Sequence, residues 1–314
     1  MTREHAIEVR ALSRTFGDFV AVRDVDFHVE RGEIFGYLGA NGAGKSTTIR
    51  MLCGLLAPSG GTALVAGHDV ARAPRAVKAS IGYMSQKFSL YLDLDADDNL
   101  AFFGGIYGLR GKALRVAVDE VVARAQLAEH RHVLTSALPG GIRQRLALAC
   151  ALMHAPKIVF LDEPTAGVDP ASRRHFWQLI RELARQGTTI FVTTHYMDEA
   201  EYCARIGLMV DGRLVALDTP DALKRDLVPG TSLAFEGPNM PRALATVRAT
   251  RGVRAAELYG ARLHVRFDEG ALDEAGLTQV LRTAGAAPTR TAKVEATLED
   301  VFLEVVGGRA GVAS

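Results

Sequence analysis

The sequence contains the run Gly39-Ala40-Asn41-Gly42-Ala43-Gly44-Lys45-Ser46-Thr47, which matches the phosphate-binding pattern G-x-x-x-x-G-K-[ST] in full. Residues 33–38 before it are typical of a buried strand, and residues 47–56 after it are typical of a helix. Glycines let backbone N–H groups turn towards an anion, and the helix dipole adds partial positive charge. A chance glycine loop is disfavoured because strand, loop and helix agree. We expect Lys45 to reach the β- and γ-phosphates of a nucleotide and Ser46 to bind Mg²⁺.

Composition places the chain among globular proteins with a sizeable core. Of its 314 residues, 48% are apolar, 23% are charged and 7% are aromatic, which suits one large domain or a large one plus a small one. The formal charge of +1 gives no reason to expect a nucleic-acid partner. The start of the chain is charged, unlike a signal peptide, and no run approaches the roughly 18 apolar residues of a membrane span. If the protein acts at a membrane, we expect another chain to cross it.

Two alternating runs precede the glycine loop. Residues 7–12 and 20–29 alternate apolar and polar side chains on either side of Gly17-Asp18, which predicts antiparallel strands. Phe16 lies at the turn between them. From the sequence it is about equally suited to stacking on a nucleotide base and to packing in the core.

Two further short strands, residues 62–67 and 81–84, lead into a region of different character. Gln86 follows the second strand, where a glutamine alone would be an ordinary surface residue. From about residue 93 to 155 the strand patterns stop and helical periodicity takes over, which predicts a helical insert in an α/β core. Near its end, Gly140-Gly141 precedes an apolar helical face and leaves the first N–H groups of that helix open. This is a second possible anion site, and it has no lysine of its own.

A continuous apolar strand, residues 157–163, ends in the two carboxylates Asp162 and Glu163. Carboxylates at the C-terminal end of a parallel strand lie at the ligand edge of the sheet. Asp162 therefore suits Mg²⁺, and Glu163 suits a base for water. A solvated strand end is the weaker interpretation, because the acids follow the apolar run directly. Residues 189–194 form another β-branched strand, so His195 lies at the same edge.

From about Asp221 the pattern restarts. Strand and helix patterns between residues 232 and 306 follow the order βαββαβ, with the second helix expected over 270–284, which suggests a small α+β ferredoxin-like domain. Thr297 can cap the last helix, and this part of the sequence contains no catalytic constellation. We predict a P-loop NTPase core over residues 1–220, with a RecA-like mixed sheet, an antiparallel β subdomain and the helical insert. Residues 221–314 are expected to form a domain for regulation or dimer contact.

Together these motifs resemble the ATP-binding subunit of an ABC transporter. The resemblance covers about residues 6–220, where six motifs stand in the order and spacing of that family. They are the loop at 39–47, Gln86, the signature-like Leu138–Gln144, Phe160-Leu161-Asp162-Glu163-Pro164, Gly167-Val168-Asp169 and His195. The C-terminal piece, which ends Thr297-Leu298-Glu299-Asp300-Val301-Phe302, is similar to the tail of bacterial drug- and antibiotic-exporter ATPases.

The resemblance implies ATP and Mg²⁺ as ligands and assigns a role to each motif. Phe16 would stack on adenine, and the glycine loop would hold the phosphates through Gly39, Asn41, Gly42, Gly44, Lys45, Ser46 and Thr47. Mg²⁺ would be bound by Ser46, Gln86 and Asp162. Catalysis would involve Glu163, which polarises the attacking water, His195 at the γ-phosphate, and Gln86, which links the site to the membrane partner.

The resemblance also implies partners. Two such subunits, identical or different, would sandwich ATP, with Gly140, Gly141 and Asp169 reaching the nucleotide of the other subunit. Separate integral-membrane permease subunits, contacted by residues 87–100, would use the resulting motion to export a drug-like or other substrate. The protein would lie peripherally on the cytoplasmic face of the inner membrane, with no nucleic-acid partner.

One departure keeps alternatives open. Pro139 stands where the family usually has serine, and proline offers a phosphate neither a hydroxyl nor an N–H. The loss of one charge-assisted hydrogen bond could weaken dimer closure by about 1.5–3 kcal/mol. Two alternatives are therefore kept. One is a degenerate cassette that binds ATP and has only a regulatory role, and the other is a soluble ABC-type ATPase that acts on ribosomes or DNA. A GTPase or kinase would leave the signature and His195 unexplained.

Overall fold

The computed structural model describes residues 5–86 and 89–310, with side chains as far as residue 306. The chain divides into two compact units at Pro220 and Asp221. Part of the expected permease contact at residues 87–100 therefore lies outside the described residues.

The first unit contains strands and helices in mixed order. They are β1 (Ile7–Phe16), β2 (Phe19–Val29), β3 (Ile34–Gly39), α1 (Lys45–Leu52), β4 (Gly60–Val65), β5 (His68–Asp69), α2 (Pro74–Ser80), β6 (Ile81–Met84), α3 (Ala96–Ile106), α4 (Gly111–Arg124), α5 (Gly140–Leu152), β7 (Ile158–Asp162), α6 (Pro170–Arg185), β8 (Thr189–Thr194), α7 (Met197–Ala200), β9 (Arg205–Val210) and β10 (Arg213–Asp218).

A six-stranded sheet with the order β10-β9-β3-β8-β7-β6 forms the centre of this unit. All neighbours run parallel except β10, which is antiparallel to β9. Every residue of β3, β7 and β8 is buried, which explains their continuous apolar sequences. The predicted α/β core is confirmed. Because β7 and β8 pair with Asp162 opposite Thr193, and β8 pairs Thr194 with Leu38 of β3, the ends of the three strands meet at one edge.

A second sheet, with the order β2-β1-β4-β5, is antiparallel throughout, and it confirms the two strands predicted ahead of the glycine loop. Its Phe27 joins it to the central sheet, with ring centroids 5.4 Å from Phe35 and 6.0 Å from Phe191. Strand β1 continues as far as Phe16. The Phe16 side chain is 46% exposed, and the Arg14 guanidinium lies 4.6 Å from its ring centroid, so the core alternative for Phe16 is wrong.

The helical region consists of α3, α4 and α5 with two short 3-10 turns between the last two. The Asp95 side chain accepts a hydrogen bond from the N–H of Asp98, which starts α3 at Ala96. Asn99 is fully buried; it donates to the hydroxyl of Thr135 and exchanges hydrogen bonds with the backbone of Tyr91. This amide therefore fixes the segment before α3 against the rest of the helical region.

The second unit contains α8 (Pro220–Leu227), β11 (Thr231–Glu236), α9 (Met240–Arg248), β12 (Val253–Tyr259), β13 (Arg262–Phe267), α10 (Glu274–Thr283), β14 (Arg290–Val294) and α11 (Leu298–Ala310). Its antiparallel sheet has the order β12-β13-β11-β14. One face of the sheet, including Phe235 and Val265, packs with α9 and α10 in a single apolar core. Thr297 caps α11 as predicted, with reciprocal hydrogen bonds to Asp300.

Several helices differ from the sequence expectations. The helix expected over 270–284 begins only at Glu274, because Asp273 caps it through the N–H of Gly276. Helices α2 and α8 were not predicted, although a proline at the start of each is a helix-start signal. In the part of the chain that the structure describes, none of the helices combines the length and apolar character needed to cross a bilayer.

Candidate active site

The phosphate loop ends at the start of α1, and Gly44 is the residue that precedes this helix. Gly44 has a φ of 104°, and a Cβ atom at this position would lie 2.6 Å from the carbonyl oxygen of Ala21. Glycine is therefore required by both conformation and space. No side chain caps α1, so its first N–H groups are available to an anion.

Lys45 is held beneath this loop. Its side chain is 4% exposed, and Nζ donates hydrogen bonds to the carbonyl oxygens of Gly39 (2.8 Å) and Ala40 (3.0 Å). Nζ also lies 3.6 Å from Oε1 of Glu163. Burial lowers the pKa of the Lys45 ammonium, and the adjacent Glu163 carboxylate opposes that shift. Lys45 is thus a nearly buried cation at the first residue of α1.

Asp162 ends β7, and its carboxylate meets the helix that follows the phosphate loop. Its Oδ1 accepts hydrogen bonds from the hydroxyls of Thr193 (2.7 Å) and Ser46 (3.2 Å). Burial raises the pKa of Asp162, and the hydrogen bonds from Thr193 and Ser46 counteract this. A carboxylate and a hydroxyl side by side offer the oxygen ligands that Mg²⁺ prefers, so these two residues fit that ion.

Glu163 is the point at which the predicted catalytic side chains meet. Its Oε2 accepts a hydrogen bond from Nε2 of Gln86 (3.0 Å) and lies 3.3 Å from Nδ1 of His195, while Oε1 faces Lys45. Nδ1 of His195 has no hydrogen-bond partner among the described residues, so its contact with Glu163 is a close approach and not a hydrogen bond. A single buried carboxylate therefore lies next to one amide, one imidazole and one ammonium group.

The backbone of Glu163 is unusual. Its φ of 49° lies in the left-handed region, which costs a residue other than glycine about 1–3 kcal/mol and often marks functional sites. The Glu163 N–H donates to both the hydroxyl (3.0 Å) and the carbonyl oxygen (3.1 Å) of Thr193. We did not single out Thr193 from the sequence. The available signal was a threonine at the end of a strand predicted to reach the same edge.

Other predicted site residues stand apart from this cluster. Within residues 5–86 and 89–310, no described hydrogen bond or ion pair joins Glu163 to Phe16, Asn41, Gly140, Gly141 or Asp169. The Asp169 side chain instead caps α6, accepting hydrogen bonds from the N–H groups of Ala171 and Ser172 (both 3.0 Å). These bonds lower the pKa of the exposed Asp169 carboxyl.

The signature-like loop has a defined start but no side-chain cap. Pro139 precedes α5, and its carbonyl oxygen accepts hydrogen bonds from the N–H groups of Ile142 and Arg143 (both 3.0 Å). A Cβ on Gly141 would lie 2.5 Å from Oγ of Ser172, whereas one on Gly140 would face open space. The tip of this helix is thus accessible at Gly140 and crowded at Gly141.

A parallel sheet whose edge carries a phosphate loop, a buried lysine and two successive carboxylates defines a P-loop nucleoside triphosphatase. Comparison with known proteins makes the class narrower. The family profile described as "ABC transporter" matches residues 22–166. A profile described as "AAA domain, putative AbiEii toxin, Type IV TA system" matches residues 140–197.

Curated relatives agree with the first profile. The "Probable multidrug ABC transporter ATP-binding protein YbhF" of Escherichia coli is 53% identical over 221 residues, which are 70% of this chain but 38% of that protein. The "Daunorubicin resistance ATP-binding protein DrrA2" of Streptomyces coeruleorubidus is 36% identical over 97% of this chain and 96% of its own length. The "Nod factor export ATP-binding protein I" of Paraburkholderia xenovorans is 36% identical over 97% and 98%. The chain belongs to the ATP-binding proteins of the ABC transporter family.

Solved structures show the same fold. The cbiO1 protein of Clostridium perfringens, part of the ABC transporter complex cbiONQ, superposes with a TM-score of 0.66 at 28% identity, over 71% of this chain and 92% of that one. A dimeric bacterial ABC transporter cassette superposes with a TM-score of 0.63 at 25% identity, over 68% and 98%. The shared part has the length of the first unit.

Proposed function

We propose that this protein is the ATP-hydrolysing subunit of an exporter and drives a substrate across the cytoplasmic membrane through separate permease subunits. The observation that carries the proposal is the convergence of Gln86, Lys45 and His195 on the Glu163 carboxylate. The names of the relatives, which concern multidrug transport, daunorubicin resistance and Nod factor export, support export as the direction.

Hydrolysis in this proposal depends on Glu163 as the group that polarises water. The carboxylate can accept a proton from a water placed between it and a γ-phosphate in front of the phosphate loop. Gln86 and His195 both lie at Oε2 of this carboxylate, and from there they would orient that water and contact the γ-phosphate. Lys45 exchanges its carbonyl partners for phosphate oxygens when ATP binds.

Ser46 and Asp162 would hold Mg²⁺, with Gln86 as a further oxygen ligand. When bound, this ion neutralises charge that develops on the phosphates. The Thr193 hydrogen bond keeps the Asp162 carboxylate oriented towards Ser46, so the oxygen pair is prepared before the ion arrives.

A second ATP-binding subunit, identical or different, completes the site in this proposal. Gly140, Gly141 and Asp169 lie outside the Glu163 cluster, and the exposed tip of α5 offers N–H groups with no lysine beside them. Such a tip suits the phosphate of a nucleotide held by another subunit, with Phe16 exposed for adenine. The similarity to a dimeric cassette supports this arrangement.

The permease would dock on an exposed apolar patch formed by Tyr91, Phe102, Ile106, Tyr107 and Val116. Phe102 and Ile106 lie one turn apart on α3, and the rings of Tyr91 and Phe102 are 4.6 Å apart. Ile106, Tyr107 and Val116 line an open groove of 1090 Å³. Monomeric proteins rarely expose a contiguous patch of this kind without a partner. The similarity to a subunit of a transporter complex favours a permease helix as the occupant.

The loop that carries Gln86 connects this patch to the active site. A small cavity of 70 Å³ is lined by Met84 at the end of β6, Ser85 from that loop, Phe103 from α3 and Tyr107 directly after α3. Binding at the patch can therefore move Gln86 relative to Glu163. The protein would then work as a peripheral subunit on the cytoplasmic face of the membrane.

Ile106→Asp should release the protein from membranes, because Ile106 is 62% exposed and its burial by a permease would become burial of a charge. We expect membrane-bound protein to fall by at least about tenfold, which is typical for a residue at the centre of an interface. The measurement is the tagged protein in the membrane fraction, with co-purified integral-membrane chains identified by mass spectrometry. Leu55→Asp, at a 48% exposed leucine outside the patch, is the control. Unchanged membrane binding by Ile106→Asp, or sedimentation with ribosomes, would contradict the proposal.

We also propose that residues 221–314 serve regulation or dimer contact and are dispensable for ATP binding. Every residue of the Glu163 cluster and the phosphate loop belongs to the first unit. A chain that ends at Thr219 should keep its ATP affinity, as measured by calorimetry with a nonhydrolysable analogue. A tenfold loss, about 1.4 kcal/mol, would show that the second unit helps to build the site.

A further inference from the structure

The side chain of Glu199, on the short helix α7, is buried at 1% exposure in the first unit. Its Oε1 accepts a hydrogen bond from the Thr165 hydroxyl (2.5 Å), and its Oε2 accepts one from the Thr194 hydroxyl (2.7 Å). Nε of Arg173 lies 3.3 Å from Oε1. A buried charge is tolerated only when it is paired and hydrogen-bonded, and this carboxylate satisfies both conditions.

The two threonines belong to the segments that carry the active-site side chains. Thr165 comes two residues after Glu163, and Thr194 comes directly before His195. The carboxylate of Glu199 thus connects the loop that follows β7 to the last residue of β8, two different strands of the central sheet. Each of the two segments is fixed to the same carboxylate by one hydroxyl.

Arg173 extends this network to α6. Its guanidinium lies 3.8 Å from the ring centroid of Tyr196, and its backbone N–H donates to the carbonyl oxygen of Asp169. The Tyr196 N–H donates in turn to the hydroxyl of Thr194. The loop from Glu163 to the proposed partner-facing Asp169 is therefore anchored at its middle by Thr165 and at its end by α6.

This anchoring matters because the backbone of Glu163 is in the left-handed region, which residues other than glycine rarely adopt. A strained residue of this kind persists only when the surrounding structure over-determines it. The backbone bonds to Thr193 hold its N-terminal side, and the Thr165–Glu199 bond holds the chain beyond it.

We propose that Glu199 is a positioning residue for ATP hydrolysis, because its carboxylate fixes Glu163 and His195 in register through Thr165 and Thr194. The inference rests on the proposed role of Glu163 as the group that polarises water. Glu199 itself does not contact the nucleotide in this assignment. Its loss should therefore lower kcat while ATP binding at the phosphate loop is kept.

The first test is Glu199→Gln, which keeps the shape of the side chain but removes its charge and one of its two acceptor oxygens. Since small misplacements of catalytic groups cost up to about 10²-fold, we expect kcat to fall by about 10- to 100-fold, with the ATP dissociation constant unchanged. Glu201→Gln, the same change at an exposed glutamate two residues later, is the matched control and should keep wild-type kcat.

The second test separates positioning from a purely structural role. Thr165→Val removes the hydroxyl at nearly constant shape, whereas Thr165→Ser keeps it, so the valine variant should lose most of kcat and the serine variant far less. In a Glu163→Gln background, Glu199→Gln should cause little further loss of residual turnover, because residues that act as a unit are not additive. The two Thr165 variants also decide the matter if Glu199→Gln fails to fold.

Three results would overturn the inference: wild-type kcat in folded Glu199→Gln, equal kcat in the valine and serine variants, or an undiminished effect of Glu199→Gln in the Glu163→Gln background. The proposed function would fail by a different result, namely wild-type turnover in Glu163→Gln alone. The two failures are therefore distinguishable on the same set of proteins.

Discussion

Glu163→Gln should reduce steady-state ATP turnover to a small residual level and leave ATP binding intact. The glutamine cannot accept the proton of an attacking water, and general-base catalysis typically contributes about 10²–10⁴-fold, or about 3–5 kcal/mol of barrier. The fold of the loop should persist, because the two hydrogen bonds that Thr193 accepts come from the backbone N–H of residue 163.

ATP affinity in this variant should be equal or higher. The Glu163 carboxylate lies 3.6 Å from Lys45, where it competes for the cation and repels a γ-phosphate bound nearby. Phosphate release and nucleotide binding should be measured on the same preparation, with the exposed Glu129→Gln as a control for the chemical change. Turnover at the wild-type rate would exclude Glu163 as the group that activates water.

The local parts of this site could be read from the sequence because each is set by neighbours along the chain. The strand, the glycine turn and the start of α1 follow from periodicity and from the conformations that glycine allows. The cap of α11 by Thr297 was predictable for the same reason, since it depends on residues three positions apart. The cap of α6 by Asp169 has an equally local signal, an aspartate directly before Pro170.

The contacts that make these parts one site could not be predicted from local patterns. Gln86 and Glu163 are 77 residues apart, and Ser46 and Asp162 are 116 apart, so their meeting depends on the strand order of the central sheet. We placed both carboxylates and His195 at one edge, but no periodicity indicates which oxygen faces which partner. Thr193 and Glu199 were missed because, in sequence, a threonine in a β-branched strand and a glutamate in a polar segment look ordinary.

The solvent exposure of individual apolar side chains could not be predicted from the sequence either. Phe16 suited the core and the surface equally well as a pattern, and only the packing of β1 and β2 shows it outside. The same holds for Phe102 and Ile106 of the apolar patch, which are typical of a buried helical face in sequence but are exposed on α3. In both cases the side chain is apolar, so its exposure had to come from the tertiary arrangement.

Lys45→Ala should lose ATP binding rather than only turnover. Lys45 is nearly buried at the phosphate loop, and a charge-assisted hydrogen bond contributes about 1.5–3 kcal/mol, so affinity should fall by about 10- to 150-fold or more if two phosphate contacts are lost. The carbonyl oxygens of Gly39 and Ala40 also lose their hydrogen-bond donor, so the loop should become less ordered.

Calorimetry with a nonhydrolysable ATP analogue measures the loss of affinity. Lys45→Met, which keeps the apolar stem, separates the missing charge from the cavity. Arg50→Ala, at an exposed cation in the last turn of α1, should bind normally. Since Lys45 contacts phosphate already in the ground state, kcat at saturating ATP should fall less than affinity. If ATP affinity were unchanged and turnover were lost, Lys45 would instead contact the phosphate only in the transition state.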